Sequence, residues 1–79
     1  MKSFGYTGVV WKEAEAYVSK CPELGVASCG DSFDEAVDNL REAVELYLEN
    51  ARELGLLDEV EASLLAKEKF TGHFEAILQ

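Results

Sequence analysis

The sequence predicts an α+β domain: a small antiparallel sheet of about four strands with one long helix packed on one face. Three observations carry this. Residues 4 to 30 fall into short runs rich in β-branched and aromatic residues, broken by polar or proline-containing stretches. From residue 33 to 54 apolar side chains recur at three- and four-residue steps without a break. Residues 69 to 78 then return to β character.

The first strand is expected over FGYTGVVW, Phe4 to Trp11. Phe4, Tyr6 and Val10 would share one face and Thr7, Val9 and Trp11 the other, so both faces carry apolar groups that need burial. KEAE (12–15) reads as a polar turn and AYVSKC (16–21) as the second strand, making a hairpin. Pro22 has no N–H for a ladder and ends it. GVASC (25–29) is a short third strand.

The helix begins at a recognisable junction. Ser32 followed by Glu35 is a capping box, in which side chains satisfy backbone N–H groups that the first turn leaves open. Phe33, Val37, Leu40, Val44, Tyr47, Ala51 and Leu54 form one apolar stripe, and Gly55 is placed to close the helix in a left-handed conformation. Gly30-Asp31-Ser32 also invites a phosphate-loop reading, which the charges oppose. Asp31, Asp34 and Glu35 already occupy the positive end of the helix and would repel an anion. No glycine-punctuated calcium loop surrounds Asp31 and Asp34, so no metal and no cofactor is expected.

LLDEVEASLLAKEK (56–69) suits a short second helix with Leu57, Val60 and Leu64 on one side. KFTGHFEAIL (69–78) places Phe70, Phe74, Ala76 and Leu78 on alternate positions, interrupted at Gly72, and reads as the fourth strand. His73 is the single histidine, with no nucleophile or acid positioned beside it, and reads as a surface residue.

All 79 residues make one domain, 1–79, too small to draw more than about 3–5 kcal/mol of net stability from its own core. Self-association as a dimer or tetramer is therefore expected, with Val9 and Trp11 among the groups it would cover. Cys21 and Cys29 are too few for a disulfide scaffold and lack zinc spacing, which predicts buried reduced thiols. No apolar run approaches the ~18 residues of a membrane span and no signal pattern opens the chain, so a cytoplasmic protein without membrane contact is expected.

Eleven of the sixteen acidic residues but two of the seven basic ones fall between Asp31 and Glu61, so this segment carries the whole net charge of −9. Such a surface excludes direct nucleic-acid binding, which needs Lys and Arg to replace counterions. Asp38, Glu42, Glu45, Glu49 and Glu53 step along the helix out of phase with the apolar stripe and form an acidic ridge. Like charges four residues apart cost about 0.2–0.5 kcal/mol each, partly offset by Arg41 and Arg52. The ridge is either a solubilising face or a docking surface for a basic protein.

CPELG followed by SCGDSFDEAVDNLREAVELYLE resembles the N-terminal domain of the HicB-like antitoxin family over roughly residues 4 to 54. In that family a Cys-Pro-Glu-Leu segment leads to Gly-Asp-Thr and then to an acidic helix rich in alanine and leucine. The resemblance implies a truncated ribonuclease-H-like fold, in agreement with the element order above. The sequence departs from the family where Leu24 meets Gly25 directly, one residue short of the common Leu-Pro-Gly turn. Many members continue into a DNA-binding domain; no such segment follows the fourth strand here, so operator binding is not expected of these residues.

Ribonuclease-H-like enzymes hold two metals with carboxylates converging from strand and helix. The first strand here contains no Asp or Glu, and catalysis is not expected. The resemblance implies an antitoxin that captures a small basic HicA-type mRNA-cleaving toxin and blocks its access to RNA. The alternative is an orphan homo-oligomeric module, structural or small-ligand-binding, with no toxin partner. The candidate contact residues are Asp38, Glu42, Glu45 and Glu49 on the ridge, or Tyr17 and Glu23 on the hairpin and the CPELG turn.

Overall fold

In the computed structural model, which describes residues 3–65 and 69–78, three strands precede two helices: β1 (Val9–Glu13), β2 (Ala16–Cys21), β3 (Val26–Gly30), α1 (Phe33–Glu53) and α2 (Leu57–Leu64). The sheet is antiparallel in the order β1-β2-β3. The second strand and the long helix lie where the sequence places them. The first strand does not: residues 3 to 8 form no strand, while Lys12 and Glu13 pair with Tyr17 and Ala16. The hairpin therefore turns in two residues, Ala14 and Glu15, and Ala14 adopts φ 54°. That position favours glycine, and without one the sequence gives no sign of so tight a turn.

The second turn starts at Pro22 and closes through Gly25, whose φ of 72° suits glycine and whose N–H donates to Cys21 O at 2.9 Å. At the start of α1 the Glu35 N–H donates to Ser32 Oγ (3.1 Å), and Glu35 Oε1 accepts from the Asp31 N–H (3.3 Å), one residue before the cap. The helix ends in a Schellman arrangement, with Leu56 N–H on Ala51 O and Gly55 N–H on Arg52 O. Gly55 takes φ 75° there.

One sheet face, carrying Ser19 and Cys21 of β2 with Val26 of β3, packs under α1. Cys21, Leu40 and Val44 form the buried centre, with Tyr6, Leu24, Val26 and Leu48 around it. Burial of Leu40 and Val44 is worth about 1.5–3 kcal/mol each. The Ser19 hydroxyl, fully buried, donates to Ala36 O at 2.9 Å and ties β2 to the first turns of the helix. α1 leans toward β3, where Asn39 Nδ2 donates to Cys29 O at 2.8 Å, and it barely touches β1. α2 packs back on α1 through the buried Leu64.

Several expectations are corrected. The buried helix stripe is Ala36, Leu40, Val44 and Ala51, while Phe33, Val37, Tyr47 and Leu54 are exposed. Ala36 sits where α1 comes closest to β3, at Gly30, while Phe33 and Val37 border the open groove beside Val10 of β1. Cys21 is buried, but Cys29 is exposed on the outer sheet face. Residues 69–78 form no fourth strand; Lys69, Phe70 and Thr71 instead border a groove with Thr7, Pro22, Glu23 and Ser63. The predicted run of the second helix through residues 66–68 lies outside the described residues. None of the helices in the described residues is long and apolar enough to cross a membrane.

Candidate functional site

α1 carries the acidic ridge because its apolar stripe fixes which face meets the sheet. Asp38, Glu42, Glu45, Glu49 and Glu53 are all exposed. Arg41 lies along the ridge, with Nη2 3.8 Å from Asp38 Oδ1 and Nε 4.0 Å from Glu45 Oε1. Both pairs are long and solvated, so they hold neither carboxylate firmly and are worth little. The ridge keeps its negative field.

The ridge is not uniform along its length. Glu45 and Glu49 border a cleft of about 410 Å³ between α1 and the N-terminal segment, shared with Phe4, Tyr6, Arg41 and Arg52. Asp38 and Glu42 lie outside this lining. Burial pushes the Tyr6 phenol above its usual pKa, Cys21 and Glu45 add to the rise, and Arg41 opposes it.

Tyr17 lies near the start of β2 and Glu23 in the turn that follows β2, six residues on, and they do not form one cluster. Tyr17 is half-buried on the same sheet face as Ser19 and Cys21, with Lys12 Nζ 5.7 Å from its ring centre. Glu23 is turned inward. Its carboxylate accepts from Thr7 N–H (3.0 and 3.1 Å), Thr7 Oγ1 (2.8 Å), Cys21 Sγ (3.4 Å) and Lys69 Nζ (2.6 Å). Its side chain is 9% exposed. Burial alone would raise its pKa, but the hydrogen bonds from Lys69 and Thr7 outweigh it and hold the carboxyl at about 2. Burial likewise raises the Cys21 thiol, so it stays a neutral donor.

This knot joins residues 7, 23 and 69, and sequence reasoning missed it. Glu23 was legible as part of the CPELG turn, but nothing in the chain announces partners 16 and 46 residues away. Lys69 Nζ also donates to Leu64 O at 2.9 Å, tying the end of α2 to the same point. The groove beside it, about 300 Å³, is lined by Thr7, Pro22, Glu23, Ser63, Lys69, Phe70 and Thr71. A separate open apolar groove of about 350 Å³ lies between β1 and the start of α1, lined by Tyr6, Gly8 and Val10 with Phe33, Val37 and Leu40.

Among the described residues no group of three or more His, Cys, Asp or Glu side chains is placed to hold a metal ion. Asp31 and Asp34 serve the helix start, and His73 is exposed in the segment beyond α2. The arrangement is an exposed negative row beside open clefts.

Comparison with known proteins identifies the family. The sequence matches the family described as HicB_like antitoxin of bacterial toxin-antitoxin system over residues 6–79. It is also similar to the UPF0150 protein ssr1765 of Synechocystis sp., 45% identical over 49 residues, which is 60% of this chain. The match spans 62% of that relative's length. No solved structure matches the chain significantly.

Proposed function

Because the chain belongs to the HicB_like antitoxin family of bacterial toxin–antitoxin systems, we propose that it sequesters a small basic HicA-type mRNA interferase toxin and blocks the toxin's access to RNA. The observation that supports the toxin's chemistry is the exposed row of Asp38, Glu42, Glu45 and Glu49 along one helix. A protein that binds RNA presents cations for phosphates, and a fixed row of carboxylates competes for the same cations. The helix is braced from behind by Leu40 and Val44, so the row is held ready before the partner arrives.

The ridge acts in encounter and orientation, and apolar contacts at its border supply lifetime. Tyr17 is the competing contact point. Glu23 enters that alternative surface as a brace for the turn, since its carboxylate is already engaged by Thr7 and Lys69. The chain acts by binding and not by catalysis, without metal or cofactor, and without touching nucleic acid itself. Its place is the cytoplasm, where a toxin meets mRNA.

The test is a cleavage assay. A small basic HicA-type toxin, encoded beside this chain, is incubated with RNA and increasing amounts of the protein. The proposal expects RNA cleavage to stop at a fixed molar ratio and the two proteins to co-elute. Full cleavage at excess antitoxin, with no co-elution at micromolar concentration, overturns it.

A further inference from the structure

The cleft between α1 and the N-terminal segment is built differently from the ridge that borders it. Its walls are apolar, formed by Phe4, Tyr6, Val44, Leu48 and Leu57. Its charged rim follows α1 in the order Arg41, Glu45, Glu49, Arg52, with a cation at each end and two carboxylates between. The row spans about 17 Å of helix. Asp38 and Glu42 stand nearer the helix start, outside the cleft.

The two carboxylates are not neutralised from within. Arg41 comes no nearer to Glu45 than 4.0 Å, with both side chains largely exposed. Among the described residues Glu49 pairs with no cation. Glu45 is felt inside the cleft: burial raises the Tyr6 phenol most, and Cys21 and Glu45 add to that rise against Arg41.

Carboxylates over an apolar cleft fit a side chain with an apolar stem and a cationic head. Arginine fits better than lysine. Its planar guanidinium carries five donors, enough to engage carboxylates one helical turn apart. It is also less strongly hydrated than an ammonium and lies flat on aromatic faces. A volume of about 410 Å³ admits such a side chain with its neighbours. Arg41 and Arg52 add selectivity, because an unbroken run of cations would meet like charge at both ends.

Resting on the toxin-binding reading above, we propose that this cleft grips one arginine of the basic partner, its guanidinium between Glu45 and Glu49 and its stem against Phe4, Tyr6 and Leu48. The ridge then has two parts: Asp38 and Glu42 steer, and the cleft holds. Steering charges act on the association rate, whereas a charge pair desolvated against apolar walls acts on dissociation.

Variants of equal charge change separate the two parts. Asp38→Asn, Glu42→Gln and Glu45→Gln, Glu49→Gln each remove two negative charges, so both should slow association with the toxin to a similar extent. The second alone should also speed dissociation, by about tenfold or more. Phe4→Ala changes no charge; it should speed dissociation and leave the salt dependence of association as in the parent. Equal dissociation rates for the two charge variants overturn the proposal, and so does a Phe4→Ala protein that dissociates like the parent. A probe without toxin separates the cleft from the wider reading. N-acetyl-arginine-methylamide at millimolar concentration should shift the magnetic resonances of Tyr6, Leu48 and Glu49, and the lysine analogue should shift them far less. No shift, or equal shifts, overturns the arginine site even if the toxin binds. Arginine-selective shifts without co-elution of the toxin uphold the site and overturn the toxin reading instead.

Discussion

Gly30, the last residue of β3, meets the helix at Ala36 so closely that a Cβ on Gly30 would stand 2.6 Å from the Ala36 backbone nitrogen. The Glu35 backbone carbon and Cβ would both lie at 2.9 Å. This contact sets the distance between sheet and helix, buries Ala36 completely, and lets the Ser19 hydroxyl reach the Ala36 carbonyl.

Gly30→Ala should therefore destabilise by about 2–3 kcal/mol, since backbone and not a flexible side chain must move. For a domain of this size that is a fall of about 10 °C or more in melting temperature. Gly5→Ala is the control, because nothing lies within 4 Å of a Cβ there, and it should be near neutral. Equal effects of the two substitutions in thermal unfolding would contradict the contact.

Ala14 is held at φ 54° in the two-residue β1–β2 loop, a conformation that costs a residue with a Cβ about 1 kcal/mol or more. Ala14→Gly should raise stability by about 0.5–1 kcal/mol, the relieved strain outweighing glycine's larger entropy loss. Urea denaturation reads this as a higher midpoint at unchanged slope. A lower midpoint would mean that the loop does not hold Ala14 in that conformation.

The Glu23 carboxyl is lowered from its usual 4.5 to about 2 by Lys69 and Thr7 acting against burial. A depressed folded pKa gives stability that is complete above about pH 4.5 and lost as pH falls through about 2. The difference corresponds to about 3 kcal/mol. Glu23→Gln should be less stable than the parent at pH 7, and the gap should narrow between pH 4.5 and 2. Unfolding of both proteins across that range checks it; a gap that stays constant would place Glu23 outside the knot.

Much of the fold was legible because local signals and tertiary packing agree. Ser32, Glu35 and Gly55 mark the helix ends by mechanisms confined to a few neighbouring residues, and Pro22 marks the end of β2. The helix phase was half legible. Leu40, Val44 and Ala51 are buried as periodicity predicts, but Ala36 displaces Phe33 and Val37 because closeness to Gly30 selects for size and not for hydrophobicity. The strand over residues 4–11 failed where Tyr6 leaves the sheet to pack against Leu40 and Val44. The fourth strand failed because alternating apolar residues over 69–78 specify no partner edge, and the segment pairs with no strand.

The candidate site divides the same way. The ridge follows from helix periodicity alone, so Asp38, Glu42, Glu45 and Glu49 are exposed as that pattern requires. The inward turn of Glu23 depends on Thr7 and Lys69, and no spacing rule connects them.

The association rate of toxin with the parent and with the variant Asp38→Lys, Glu42→Lys, Glu45→Lys, Glu49→Lys, measured at low and high salt, tests the central claim most directly. The parent should associate fast at low salt and lose much of that rate at high salt, where charges beyond about 10 Å are screened. The lysine variant should keep its fold, associate at least tenfold more slowly at low salt, and show little or reversed salt dependence. Unchanged rate and affinity in the lysine variant, with binding abolished instead by Tyr17→Ala, would contradict the claim and move the interface to the hairpin.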